Sequence, residues 1–334
     1  RIVAAYLRQV GIPAAAIDAT DLIVTDDNFT SAVPLIEQTN VKTRARLDTL
    51  LEDSVIPIVT GFIAATKEGI TTTLGRGGSD YSASIIGRAL NAQEVWIWTD
   101  VDGVMSADPR WVESAKTIPQ LTYREVSELA YYGAKVLHPR TMRPVMESHI
   151  PLRIKNTFNP EHAGSVIVYE NDQQHDGIKA VTAIRALSLI TVEGRGMLGV
   201  PGVAARTFKA VADSRASILM ITQSSSEQSI CFVLSEDTSS QVVMALEHEF
   251  GEELKHRDIE RIWSLEPCAI VTAVGAGMQG TPGIAGKMFT ALGDNDINIV
   301  AIAQGSSECS ISVVVSTEQV STAVQAVHQL IAPA

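Results

Sequence analysis

The sequence has no long apolar run: no stretch reaches the ~18 residues that a membrane-spanning helix needs, and no secretory signal is visible. Cysteine is scarce. Cys231, Cys268 and Cys309 are odd in number and widely spaced, and they form no CxxC. That excludes a disulfide framework and reads as buried thiols in a reducing compartment, the cytoplasm. Positive charge is also short, with 26 Lys and Arg against 38 Asp and Glu and a net charge of -12. Such a balance argues against nucleic acid or an anionic membrane as partner. An anionic substrate then needs local cations, so the few Arg and Lys beside glycine turns gain weight. What is present is ordinary for a globular protein: 46% hydrophobic and 19% charged residues over 334 positions, enough for two or three domains. The chain opens at Arg1, without Met, inside a helical pattern. An amino-terminal part is therefore expected to be missing.

Residues 1–170 alternate helical and strand patterns. Ile2, Val3, Tyr6, Leu7 and Val10 give a helical stripe with Gly11 as its cap. Ala14–Ile17, Ser54–Val59 and Pro151–Lys155 read as strands, and Arg44–Leu51 as a helix. Glu94–Trp98 is a continuous apolar run, expected as a strand buried on both faces. Thr122-Tyr123-Arg124-Glu125 is a capping box, and His138-Pro139 is expected to stop or kink the helix it opens. Alternation of this kind predicts an α/β fold, a mostly parallel sheet with helices on both sides.

Residues 186–334 repeat at an offset of 81: Val192–Leu234 matches the later copy at 19 of 43 positions. Gly194-Arg195-Gly196-Met197 returns as Gly275-Ala276-Gly277-Met278, and Gln223-Ser224-Ser225-Ser226-Glu227 as Gln304-Gly305-Ser306-Ser307-Glu308. Each copy reads as a βαββαβ α+β unit. The first ends on an apolar run, Glu260–Leu265, whereas the second stops after its last helix. The spare run Ile178–Ile184 is predicted to complete the second copy's sheet, because an unpaired edge is a liability.

The chemistry gathers in two blocks. In Thr72–Asp80, Gly75, Gly77 and Gly78 let backbone approach an anion, Ser79 is a fair N-cap, and Arg76 offers a planar fork for carboxylate or phosphate. A plain turn before a helix explains the same glycines equally well. Thr99 and Asp100 end an apolar strand, where α/β ligand sites form. Asp100, Asp102 and Asp108 can hold Mg²⁺ through water, although Asp102-Gly103 reads better as a turn. Asp108-Pro109-Arg110 reads as a turn with a surface Arg or as a phosphate clamp, and Lys135 as a solvated lysine or an anion contact. Three cations, Arg76, Arg110 and Lys135, each beside a glycine or proline turn in an acidic chain, favour one anionic pocket. In the repeats, the turns Gly196–Gly199 and Gly277–Gly280 precede helices and are expected to receive an effector's carboxylate, or else the repeats only dimerise.

The blocks Thr60–Ala64, Thr73–Ala83, Trp98–Val104 and Gly133–Thr141 resemble aspartate kinase, and the repeated half resembles that family's tandem ACT domains. Gln223–Ile230 and Asn298–Val315 are most similar to the kinase half of bifunctional aspartokinase–homoserine dehydrogenases. The resemblance implies an amino-acid-kinase-like sandwich over 1–172, one ACT domain over 186–266, and a second from 178–185 plus 267–334. It implies transfer of the ATP γ-phosphate to the β-carboxylate of L-aspartate with Mg²⁺. Arg76, Ser79 and Asp80 then serve the substrate, and Thr99, Asp100, Met105, Arg110, Lys135 and Val136 the nucleotide. Met105 departs from the Tyr of many relatives. Met197, Gly199, Gln223, Asn298, Ile302 and Gln304 would take threonine or lysine where ACT units meet. A homo-oligomer is expected, a dimer through the ACT domains or a tetramer. The family's Lys-Phe-Gly-Gly-Thr-Ser and Gly-Glu-Arg/Lys-x-Ser blocks are absent, so the chain as given is expected to lack kinase activity. Two other readings are a kinase of the same fold acting on another carboxylate such as glutamate, and a non-catalytic amino-acid-sensing subunit.

Overall fold

The structure is a computed structural model that describes residues 1–134, 137–170, 177–224 and 228–331. It divides into two compact units. The first comprises Arg1–Met105, Thr117–Ala130 and Lys135–Gln174, and the second Ser106–Lys116, Tyr131–Ala134 and His175–Ala334.

The first unit opens with α1 (Ile2–Gln9), β1 (Ala14–Ile17), β2 (Val24–Thr25), α2 (Ile36–Glu52), β3 (Ile56–Val59), β4 (Ile63–Thr66) and β5 (Thr71–Thr73). It continues through α3 (Gly78–Ala89), β6 (Val95–Thr99), β7 (Gln120–Thr122), α4 (Tyr123–Tyr131), α5 (Pro139–Glu147), β8 (Leu152–Asn156) and β9 (Ser165–Val168). Pairing is mostly parallel, as expected, but the strands form three sheets: β1-β3, β2-β4-β5 and β6-β8-β9-β7. The β4–β5 hairpin and the β8–β9 pair are the antiparallel exceptions. One core gathers Ile17, Leu22, Ile23, Leu47, Leu74, Tyr81 and Ile85. In α3, Tyr81, Ile85 and Ala89 are buried at a spacing of four, one face of a helix.

Several expectations need correction. Strand β6 is not buried on both faces: Val95 and Ile97 point inward, whereas Trp96 and Trp98 are 49% and 46% exposed. The Lys155 ammonium lies 5.4 and 5.5 Å from the two indole centroids, a cation–π arrangement. The capping box forms, with Glu125 N–H donating to Thr122 Oγ1 (3.1 Å) and Thr122 N–H to the Glu125 carboxylate (2.7 Å). Its helix ends at Tyr131, before a left-handed Gly133. His138-Pro139 therefore starts α5, with Pro at the first helical position. Helix α2 begins at Ile36, eight residues before the expected start at Arg44.

The second unit contains β10 (Ala180–Glu193), α6 (Val203–Asp213), β11 (Met220–Gln223), β12 (Ser229–Ser235), α7 (Glu236–Glu249) and α8 (Gly251–His256). β13 (Arg261–Val274), α9 (Ile284–Gly293), β14 (Ala301–Gln304), β15 (Ser310–Ser316) and α10 (Val320–His328) follow. Six strands form one antiparallel sheet in the order β11-β12-β10-β13-β15-β14. Strands β10 and β13 each span 14 residues and serve both repeats. Leu187–Glu193 pairs with β12, whereas Ala180–Ile184 pairs with Val274–Ile270. The spare run thus adds a strand to the second copy, as its unpaired edge predicted. A bulge between Ile184 and Leu187 separates the two halves. The sheet also curls, so that Met220 of β11 and Ala301 and Ala303 of β14 share one apolar cluster.

Candidate substrate and regulatory sites

The β4–β5 hairpin builds the first site. Its pairing of Ile63 with Thr73 brings Phe62, just before β4, against Gly75–Gly78, just after β5. Leu74 N–H donates to Phe62 O (2.9 Å), and Phe62 N–H donates to Ser82 Oγ (3.0 Å). Two left-handed glycines, Gly75 at φ +77° and Gly77 at φ +70°, turn the chain into α3. Gly77, not Ser79, is the N-cap, which leaves the Ser79 side chain exposed at the cleft. Phe62, Arg76, Ser79 and Asp80 line this cleft of about 450 Å³ together with the glycine turn.

The cleft carries both signs of charge. The Arg76 guanidinium is exposed, and the amino end of α3 adds its partial positive charge and first-turn N–H groups. Asp80 is half-buried, and burial pushes its carboxyl above the ordinary range. A fork that binds carboxylate beside a carboxylate that binds ammonium suits an amino acid with an acidic side chain.

Sequence reasoning missed the support behind this turn. Arg140 Nη1 donates to Ser31 Oγ (2.7 Å), and Nη2 donates to Ala32 O (2.8 Å). The same guanidinium lies 5.4 Å from the Tyr81 ring centroid. A Cβ on Gly75 would sit 3.2 Å from Ser31 Oγ, and one on Gly77 3.0 Å from Thr141 Cγ2, so both elements back the turn. Arg140 stands in the quoted Gly133–Thr141 block, but nothing local distinguishes it from a surface arginine.

The expected nucleotide residues divide between the units. Thr99 and Asp100 end β6 in the first unit, with Thr99 Oγ1 donating to Asp100 Oδ1 (3.1 Å). Met105 pairs with Thr117 in an isolated bridge. Arg110 belongs to the second unit, where its exposed guanidinium donates to both Asp108 oxygens. Lys135 and Val136 lie outside the described residues. Asp102 is a structural anchor: Asn156 Nδ2 (2.8 Å) and Asn159 Nδ2 (3.1 Å) both donate to it and hold its carboxyl below the usual range. Among the described residues no group of three or more His, Cys, Asp or Glu gathers to hold a metal. No helix among them is long and apolar enough to cross a membrane.

In the second unit, Gln223 and Gln304 end β11 and β14 and are exposed, as are Gly199 and Asn298. Ile302 is 41% exposed, and Met197 is buried. In the turn Gly277–Gly280, expected to receive an effector's carboxylate, the Gly280 N–H donates to the chain's own Glu308 carboxylate (2.8 Å). The equivalent Glu227 of the first copy lies outside the described residues.

A profile described as "Amino acid kinase family" matches residues 1–156, and one described as "ACT domain" matches 190–250 and 271–330. The chain is 41% identical over 329 residues to the chloroplastic bifunctional aspartokinase/homoserine dehydrogenase 2 of Arabidopsis thaliana, covering 96% of this chain and 36% of that protein. It is 39% identical over 325 residues to the bifunctional enzyme of Haemophilus influenzae, covering 97% of this chain and 40% of that one. The chain therefore spans little more than a third of the length of these relatives. Among solved structures, Clostridium acetobutylicum aspartate kinase superposes with a TM-score of 0.86 at 30% identity, covering 99% of this chain and 72% of that one. E. coli aspartokinase III in complex with lysine and aspartate gives 0.78, also at 30% identity, covering 99% of this chain and 72% of that one.

Proposed function

Because the chain belongs to the aspartate kinase family, we propose that it forms the substrate-binding and regulatory part of an enzyme that phosphorylates the β-carboxylate of L-aspartate. The product is 4-phospho-L-aspartate, the entry to lysine, threonine and methionine synthesis. The observation that carries this reading is the cleft holding Arg76 and Asp80 together at the amino end of α3. Arg76 and the helix end take a carboxylate of aspartate, and Asp80 takes the ammonium. Ser79, exposed at the same end, offers a hydroxyl. Phosphoryl transfer needs positioning and charge neutralisation more than covalent help, and this cleft supplies both to the acceptor.

Thr99, Asp100, Met105, Arg110, Lys135 and Val136 serve the nucleotide, ATP. Among the carboxylates considered for Mg²⁺, Asp102 is held by two asparagines and Asp108 by Arg110. Asp100, exposed at the end of β6 with the Thr99 hydroxyl on one oxygen, is the residue suited to hold the ion, through water. One carboxylate beside substrate phosphates is an ordinary setting for Mg²⁺, so the residues fit it. The ion would offset the charge of the phosphates.

The regulatory half takes threonine or lysine where ACT units meet, with Met197, Gly199, Gln223, Asn298, Ile302 and Gln304 around it. The chain assembles as a homo-oligomer through these units. Its three cysteines, none in a disulfide, suit the cytoplasm. Binding tests the proposal more directly than turnover does. In calorimetry the chain takes up L-aspartate, and Arg76→Ala weakens that uptake about tenfold or more, as the loss of a charge-assisted pair predicts. Because Arg76 is exposed, thermal stability stays unchanged. No heat with aspartate, together with heat from threonine or lysine, would replace the kinase reading with a sensor.

A further inference from the structure

The Asp108–Arg110 turn sits in a segment built into the regulatory unit's core. Ser106–Lys116 leaves the first unit after Met105 and returns at Thr117, and the Met105–Thr117 bridge closes its base. Ala107 and Val112 are 4% and 6% exposed in a cluster with Val181, Met278, Leu292, Val324 and Val327. Ser106 anchors the start of the segment. Val181 N–H donates to Ser106 O (2.8 Å), and Ser106 N–H donates to Lys116 O (2.8 Å). Lys116 N–H donates to Ser106 Oγ (3.0 Å), and that same Oγ lies 2.9 Å from His328 Nε2 at the end of α10. Ser106 Oγ thus bonds both the Lys116 amide and the His328 ring, the donor in the second bond being set by the imidazole tautomer. Three residues earlier on α10, Gln325 Nε2 donates to Trp111 O (2.8 Å).

Residues 222 positions apart in sequence thus fix both ends of a turn whose cation is Arg110. Within the turn, Trp111 and Val112 N–H groups bond Asp108 O (2.9 and 3.0 Å), and Arg110 N–H bonds Asp108 Oδ1 (2.9 Å). Backbone held in this way cannot swing independently of α10.

We infer that His328 is a positioning residue for the nucleotide: by holding Ser106 it sets where the Asp108–Arg110 turn presents its guanidinium. The inference rests on the reading of Arg110 as a phosphate contact. The cleft of Arg76 and Asp80 belongs to the other unit and shares none of these bonds. The role is therefore specific to nucleotide and leaves aspartate aside.

Calorimetry of the full chain with ADP and Mg²⁺, and separately with L-aspartate, tests this. His328→Ala weakens ADP about tenfold, the worth of one hydrogen bond, and leaves aspartate within twofold. His328→Gln, whose amide reaches Ser106, restores most of the loss. An unchanged ADP affinity in folded His328→Ala overturns the inference, and so does equal weakening of both ligands. If His328→Ala does not fold, Gln325→Ala replaces it, since it cuts the second tie at an exposed position; unchanged ADP affinity there overturns the inference in the same way. If the unmodified chain takes up no ADP, the reading of the nucleotide site fails by itself. Hydrogen exchange at the Lys116 and Val181 amides then tests the clamp: faster exchange in His328→Ala supports it, and unchanged exchange overturns it.

Discussion

Phe62 rests against Gly78 so closely that a Cβ on that glycine would lie 2.7 Å from Phe62 Cδ2. Phe62 has little room to retreat. It sits at φ +75°, rare for an aromatic residue, and backbone bonds on both sides hold it. The same Cβ would also crowd Leu74 Cβ at 3.3 Å. Gly78→Ala therefore forces the cleft wall outward. We expect a loss of about 1–3 kcal/mol in stability from overpacking and weaker aspartate binding. Urea denaturation and calorimetry read the two effects, and a variant as stable and as tight-binding as the parent would show the wall to be soft.

Glycines within the two repeats divide by physical role. Gly194 and Gly275 lie at φ 178° and 176°, extended backbone that any residue adopts. What each requires is closeness: a Cβ would stand 2.3 Å from Asp258 O at the first and from Gly177 O at the second. Alanine at either position should cost about 1–3 kcal/mol, because backbone cannot yield as a side chain can. Gly286 in α9 meets nothing within 4 Å and has no positive φ. Gly286→Ala should stabilise by roughly 0.5–1 kcal/mol through helix propensity. Thermal denaturation of the three variants checks the order, and equal shifts would refute the close-approach argument.

Arg140 carries a third prediction. Its fork spans a hydroxyl and two main-chain carbonyls, at Ser31 and Ala32, while its plane covers Tyr81. Lysine keeps the charge but loses the planar fork. Arg140→Lys should lower stability by about 1–3 kcal/mol, and it should also loosen the Gly75–Gly77 turn that Ser31 supports. Arg143, nearby on α5 and paired with Glu147 at 72% side-chain exposure, is the control. Arg143→Lys should change stability by less than about 1 kcal/mol.

How much of this was legible depended on whether the signal was local. The capping box at Thr122–Glu125 and the period of α1 are contacts between near neighbours, so their spacing encodes them. The missing strand of the second repeat was legible for another reason. Aligning the copies exposed an unpaired edge, and Ile178–Ile184 was the run available to fill it, of which Ala180–Ile184 pairs. Arg76 and Asp80 were found because glycine turn and helix start lie within one block. The exposure of Trp96 and Trp98 was not legible, since an apolar run looks the same whichever face is covered. Neither was the partnership of Arg140 with Ser31, or of Ser106 with His328, which join residues 109 and 222 apart. Nothing at either end marks such pairs until topology brings them together.

The Asp80 carboxyl supplies a prediction in which two measurements move in opposite directions. Burial raises its pKa in the folded protein above the ordinary value of 3.8. On acidification the folded chain then takes up this proton before the unfolded chain does. Protonation of Asp80 thus favours folding, and its contribution to stability grows as pH falls through the raised pKa and levels off below 3.8. The ionised form is the one that holds a substrate's ammonium, so aspartate affinity should fall across the same window. Asp80→Asn removes the titration. Its stability advantage over the parent should be greatest near neutrality and shrink toward low pH, while its aspartate affinity is low and nearly flat with pH. Urea denaturation and calorimetry from pH 7 down to about 4 follow both curves. An affinity that holds constant while Asp80 protonates would remove the carboxylate from substrate binding, and Arg76 with the end of α3 would then bear the recognition alone.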